Sequence, residues 1–515
     1  MAKTRSFWRR SAKTFMIFIG WLAIFYLTDR PVPAAASDFA FEITFDAAVH
    51  DEPYTGRVYL FFSQREDPPP RFGPNWFRPE PFLSVPVKNW RPGMPLKIVP
   101  RKMQDLRTFP KSFADVSLDG LYAQAVVRFN PFEREVGQGA GNGYSNVVRI
   151  DGKAGAAPLR LNVDQLVEPP EFQETKWCKE VVLRSKLLSD FYGHDVDMKA
   201  AVVLPASYYD APMRRYPVIY QIPGFSGTHF HGRRSQPVEE DNDEGVEFIR
   251  VMLNPDCPRG HHAFADSANN GPVGEALVTE LIPHIDREFR TIPEPAARFL
   301  TGHSSGGWSS LWLQVAYPDF FGGTWSTAPD PVDFRDFQQI DLYRDGENMY
   351  VDRDGNRRPI ARINNRPVLW YQDFADMEWA LGYGGQLHSF EAVFSPRGED
   401  GTPRPVWDRE TGAVDTEVAK TWEQYDIRLV LEQNWETLGP KLKGKIHIFM
   451  GDEDTFYLEG ATVLLKEALE KLGSDAVVEI YPGKDHGSLM TPELMARIRS
   501  EMVDTFLREY PLGGP

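Results

Sequence analysis

The chain has 515 residues, is 42% hydrophobic and 13% aromatic, and carries a formal charge of −16. That composition can bury a large core and lies far from the disordered class, while the acidic balance leaves no basic surface for nucleic acid. The length predicts two or three domains.

Residues 1–36 read as a targeting segment. Lys3, Arg5, Arg9, Arg10 and Lys13 precede the apolar run "FMIFIGWLAIFYL", Phe15 to Leu27, which is short for a membrane span. Ala34 and Ala36 fit a small-residue cleavage site, so a cleaved signal peptide is expected, with an uncleaved N-terminal anchor as the alternative. Either places the body of the protein in the periplasm or outside the cell, touching membrane only through this segment. The two cysteines, Cys178 and Cys257, are too few for a disulfide framework and read as buried or free thiols.

Residues 37–165 carry short alternating or aromatic runs, such as "FAFEITFDAAV", "GRVYLFFSQ" and "FLSVPVKNW", separated by Pro- and Gly-rich turns. This spacing predicts a β-sandwich-like domain. A linker is expected over 166–176. From 177 the pattern changes. "KEVVLRS", "KAAVVLP", "YPVIYQIPG", "VEFIRVMLNP", "ARFLTGH", "GTWSTAPD", "GKIHIFMGD" and "AVVEIYPG" read as strands, several continuously apolar as in a buried parallel sheet. Helical segments fall between some of them. In the clearest, Val273, Leu277, Leu281, Ile285 and Phe289 recur every four residues. The alternation predicts an α/β fold over 177–330 and 436–515, with helices on both faces of a mostly parallel sheet. Residues 331–435 break the rhythm. Two hairpins with D-G and T-G turns are expected there, in an insertion that acts as a lid or substrate surface.

Within "RFLTGHSSGGW", Gly302-His303-Ser304-Ser305-Gly306 is a G-x-S-x-G pattern between a strand and a helix. The glycines permit a sharp turn that presents Ser304 over the sheet as a nucleophile. A serine hydroxyl needs a histidine to take its proton, and the histidine needs a carboxylate to orient it. His486 in "KDHGS" is expected as the base and Asp454 as the acid, each just past a strand's C-terminal end; Asp452 is the alternative acid, or else braces the turn. Oxyanion donors are expected from the backbone of Ser305 and of Phe225, with Gly224 allowing close approach. His303, Asn270 and Trp308 are expected to touch substrate. No cofactor and no metal are expected. His229, His231, His261, His262 and Asp266 form no closed ligand pattern, and the acidic stretch 239–244 reads as a solvated loop. In the insertion, Trp370, Tyr371, Trp379, Tyr383 and Trp407 read as a small core rather than a stacking platform.

On "YPVIYQIPGFSG", "FADSANNGPVGEALVTELIPHIDREFRTI" and "TGHSSGGWSSLWLQVAYPDFFGG", the chain resembles the putative esterase family of α/β-hydrolases, which includes enterochelin esterase-like enzymes, feruloyl esterases, S-formylglutathione hydrolases and antigen 85-type acyltransferases. The resemblance implies an α/β-hydrolase fold and a serine esterase acting on a small-molecule ester. Pro223 stands where many hydrolases carry a histidine, and the 331–435 insertion lies outside the shared core. An acyltransferase or peptidase with the same triad, or a non-catalytic binding protein of this fold, are the competing readings.

Overall fold

A computed structural model describes residues 39–151, 157–237 and 245–511. The expected targeting segment and the acidic stretch 239–244 lie outside the described residues. No helix among those described is long and apolar enough to cross a membrane.

All eight strands expected after residue 177 form one sheet. They are β1 (Cys178–Arg184), β2 (Asp197–Val203), β3 (Val218–Ile222), β4 (Ile249–Leu253), β5 (Arg298–His303), β6 (Gly323–Thr327), β7 (Ile446–Gly451) and β8 (Val477–Tyr481). Their order across the sheet is β1-β2-β4-β3-β5-β6-β7-β8. The pairs β1–β2 and β2–β4 are antiparallel and the rest are parallel. Alternate side chains feed two separate cores. Tyr220 and Leu300 pack on one face with Val273, Leu277, Leu281 and Ile285. Ile219 and Phe299 pack on the other with Leu494, Ile498 and Phe506 of the C-terminal helix Pro492–Glu509. This is the doubly covered sheet of the α/β-hydrolase fold.

Helix α1 runs from Val273 to Glu288 and contains a π-helical turn at Leu277–Leu281. An α-helix carries a strict four-residue repeat steadily off one face; the wider π turn pulls the apolar residues back in line. The helix α2 (Ser305–Ala316) follows β5.

The N-terminal β-rich region is a single nine-stranded sheet. It curls onto itself: Phe41 and Phe62 meet with ring centroids 5.6 Å apart although three strands separate theirs along the sheet. Its other face carries Tyr59, Phe61 and Phe82 into a core shared with residues 331–435 and with α2.

The insertion is more helical than its turns suggest. The D-G turns at Asp354-Gly355 and Asp400-Gly401 and the T-G turn at Thr411-Gly412 each close only a single bridge, Val351 with Arg357, Arg397 with Pro403 and Trp407 with Val414. The extended hairpin lies instead at Pro359–Ile363 and Arg366–Trp370, turning at Asn364 and Asn365, both at positive φ. Helices α3 (Tyr371–Leu381) and α4 (Gln386–Phe394) follow it. The helix Ile427–Leu442 runs across residue 435, where the insertion was expected to end. Of the five aromatics, Tyr371 and Trp407 are buried edge to face, while Trp379 and Tyr383 are exposed. They do not gather into one platform, and the insertion's core is continuous with its neighbours' rather than separate.

Candidate active site

Five strand ends meet at one edge of the sheet. Ser304 follows β5 with φ 60° and ψ −127°, a conformation costly for a residue with a Cβ and held by its surroundings. Its N–H donates to Thr327 O of β6 at 3.0 Å, and its carbonyl accepts from Trp308 in the first turn of α2. Gly306 makes the elbow possible: a Cβ there would lie 2.0 Å from Ile222 O at the end of β3.

His486 and Asp454 come from the loops after β8 and β7. The His486 Nδ1 lies 2.7 Å from Asp454 Oδ2. Asp454 is fully buried, and its Oδ1 accepts from the N–H of Phe456 at 2.8 Å. An acceptor at Nδ1 fixes the tautomer with its proton there, leaving Nε2 as the base. Burial alone would push the His486 ring down. Asp454, by charge and hydrogen bond, with Asp330 and Asp485 behind it, more than reverses this, so the pKa is raised above that of an ordinary histidine. Ser304 and His486 line the same cavity of about 340 Å³. Asp452 braces the turn, accepting from Gly483 N at 2.6 Å.

The turn after β3 brings Gly224 against the elbow, where a Cβ would stand 3.2 Å from Ser304 Cβ. The N–H groups of Phe225 and Ser305 donate to no acceptor among the described residues. The Gly224 carbonyl is occupied by Gly227 N, closing the turn. His261 supports the turn from behind, its Nε2 3.0 Å from Pro223 O while its Nδ1 accepts from Ala263 N. Burial pushes His261 down to about 4 and His262 to about 3, so both rings are neutral at pH 7. His229 pairs with Glu180 at 2.9 Å. The described residues contain no cluster with the donor set of a metal site.

A model of the family described as "Putative esterase" matches residues 194–475. The chain belongs to the putative esterase family. It is a carboxylic ester hydrolase of the α/β-hydrolase fold. A comparison with curated proteins returned no match. Among solved structures, this esterase is similar to a ferulic acid esterase at 14% identity and TM-score 0.41, covering 64% of this chain and 98% of that one. It is also similar to an S-formylglutathione hydrolase from Agrobacterium tumefaciens (15%, TM-score 0.39, 65% and 98%). A third is FphF, a fluorophosphonate-binding serine hydrolase of Staphylococcus aureus (14%, TM-score 0.39, 63% and 98%).

Of the residues expected to touch substrate, only His303 lines the esterase's cavity, its ring 4.5 Å from that of His486. Burial and the neighbouring His486 push His303 down to about 4, so it stays neutral beside the base. Trp308 is buried behind the elbow, stacked on Trp312 and packed on Phe394, and faces a small separate cavity. Asn270 lies outside both, its carbonyl accepting from Tyr192 Oη at 3.3 Å. Four residues were missed. Trp76, from a Pro/Gly-rich N-terminal loop, stacks on Phe225 at 5.6 Å and forms one cavity wall. Arg362, from the insertion's hairpin, donates to Asp454 O at 2.9 Å and pairs with Glu459 at 2.7 Å. Gln386 of α4 reaches Ser305 Oγ at 3.2 Å and Asp330 Oδ2 at 3.4 Å. Only Asp330 carried a signal, standing just past the end of β6 as Asp454 does past β7. A second cavity of about 460 Å³ shares Trp76, Phe225 and Ser226 with the first and is walled by loops 72–77 and 134–138 of the N-terminal region and by the C-terminal half of α3.

Proposed function

We propose that this esterase works outside the cytoplasm and hydrolyses a carboxylic ester through an acyl-enzyme on Ser304. The carrying observation is the 2.7 Å contact of His486 with buried Asp454, in a cavity that also holds Ser304 on its strained elbow. Ser304 Oγ attacks the carbonyl carbon as its proton passes to His486 Nε2. The oxyanion is received by the N–H groups of Phe225 and Ser305. Collapse breaks the bond to the alcohol oxygen, which takes the proton from His486. Water then attacks the acyl-enzyme, giving its proton to the same nitrogen; the bond to Ser304 Oγ breaks, Oγ takes that proton back, and the acid leaves. Asp454 holds the ring through its hydrogen bond at Nδ1. The cavity's apolar lining, including Ile360, Leu369, Phe374 and Phe456, suits an apolar portion of the ester. The basic and then apolar run of residues 3–27 supports export.

A fluorophosphonate should label Ser304, and the label should be lost in His486→Ala. Labelling elsewhere, or full labelling of that variant, overturns the reading. His486 must be neutral to accept a proton. Its raised pKa therefore predicts that kcat/KM falls, as pH drops, at a value above the ordinary histidine range of about 6.5. Asp454→Asn should move that limb to lower pH as well as lowering the rate.

A further inference from the structure

We propose that Asp330 is a specificity-determining residue that receives a hydrogen-bond donor, a hydroxyl or an ammonium, carried by the ester within a few bonds of its scissile carbonyl. The proposal rests on the esterase reading above and names the chemistry that the site selects.

Seven acidic residues are buried in the described chain: Asp330, Asp333, Glu347, Glu378, Glu391, Asp426 and Asp454. Six have a basic partner. Asp333 and Asp426 face Arg428, Glu347 faces Arg358, Glu378 faces His388, Glu391 faces Arg409 and Asp454 faces His486. Asp330, only 6% exposed, has none among the described residues. A buried carboxylate without a cation is costly, so a chain that keeps one at a cavity wall leaves its acceptor oxygens for something that enters the cavity.

Neutral donors satisfy it only in part. Gln386 Nε2 divides itself between Ser305 and Asp330, the latter at a long 3.4 Å, and Gln386 Oε1 is itself buried without a partner. The Ser305 hydroxyl gives one further hydrogen bond. Burial pushes Asp330 up to about 6, with the Ser305 bond and His486 pulling the other way, so it is an ionised acceptor at neutral pH. Its position sets the reach. The Asp330 N–H donates to Ser304 O at 3.3 Å, and the carboxylate bonds the residue next to the nucleophile. It lines the cavity that holds Ser304 and His486. A donor on the acyl chain one or two carbons from the carbonyl would meet it.

The test compares kcat/KM for the methyl esters of butyric, 3-hydroxybutyric and 3-aminobutyric acids. The wild-type enzyme should favour at least one donor-bearing ester over butyrate by about tenfold or more, as expected of a hydrogen bond to a charged group. Asp330→Asn keeps a carbonyl acceptor and should retain a preference for the hydroxyl ester while losing one for the ammonium ester. Asp330→Ala should lose both. Which ester leads in the wild type decides between hydroxyl and ammonium. Equal rates for all three in the wild type overturn the proposal without any variant. So does an equal fall for all three in both variants, which would mean that Asp330 acts only through the charge of His486. Fluorophosphonate labelling of Ser304 in each variant reports that the site is assembled. If the wild type neither labels nor hydrolyses any ester, the esterase reading fails. The Asp330 proposal is then judged by calorimetric binding of the three free acids to Ser304→Ala, where equal binding overturns it.

Discussion

The eight-stranded sheet and the 331–435 insertion both end in a dehydrated interior, yet they fill it with different groups. Strands β1 to β8 bury mainly apolar residues, in runs such as Ala200–Val203 and Val218–Tyr220, and none of their acids is buried. The insertion buries five carboxylates, Asp333, Glu347, Glu378, Glu391 and Asp426, and holds each with arginine or histidine. Asp333 shows the density of this chemistry, accepting from the Arg335 and Arg428 side chains and from Arg335 N. Periodic apolar burial tolerates many sequences of the same pattern. A core of ion pairs depends on each partner, because removing one leaves a charge with neither water nor counter-ion. The sheet's structure is thus distributed over its sequence, and the insertion's is concentrated in a few contacts.

Deleting 331–435 has the largest expected effect. Its Phe334, Phe374, Trp407 and Trp422 share a core with Tyr59 and Phe61 of the N-terminal sheet and with Trp308 and Leu311 of α2. The deletion should therefore yield no soluble folded protein; a cooperative melting transition in the deleted chain would show that the insertion is an independent lid. Ser304→Ala lies at the other extreme, on the sheet's own edge. It should lower ester hydrolysis by about 10⁴- to 10⁶-fold with no loss of melting temperature. Asp333→Ala should cost about 3 kcal/mol or more in chemical denaturation, since Arg428 and Arg335 lose their shared partner. Arg362→Ala should lower kcat by about 10- to 100-fold through misplacement of Asp454. The result should be a smaller change in stability than that of Asp333→Ala. The smallest change is expected of Ile448→Val, a fully buried residue of β7, at about 1 kcal/mol by the same denaturation curve.

What could be read in advance follows the same division. Several of the eight strands were legible because parallel strands buried on both faces are apolar nearly without interruption, and the antiparallel β1 and β2 by their short apolar runs between charged residues. Ser304 and the residues proposed as its partners were legible because turn chemistry and chain order at strand ends limit the choices. The insertion's D-G and T-G turns were read correctly as turns, but turns do not reveal how far the flanking strands pair, and α3 and α4 were not anticipated. Trp308 was expected at the substrate; as the fourth residue of α2 it is buried in the core instead. Asn270 was expected there too, but its loop packs against Tyr192, away from the cavity. Trp76 and Arg362 had no sequence signal, since Phe225 and Asp454, which they meet at the site, are far away in the chain.

The stack of Trp76 on Phe225 couples two parts of the molecule that sequence order keeps apart. The reacting groups are set by strand ends of one sheet, whereas one wall of the chamber around them belongs to a loop outside it. Substitutions in that loop can reshape the chamber while the strand ends stay in register. Selectivity in this enzyme can therefore drift on a separate evolutionary clock from the chemistry, with the loop that carries Trp76 as the exchangeable part.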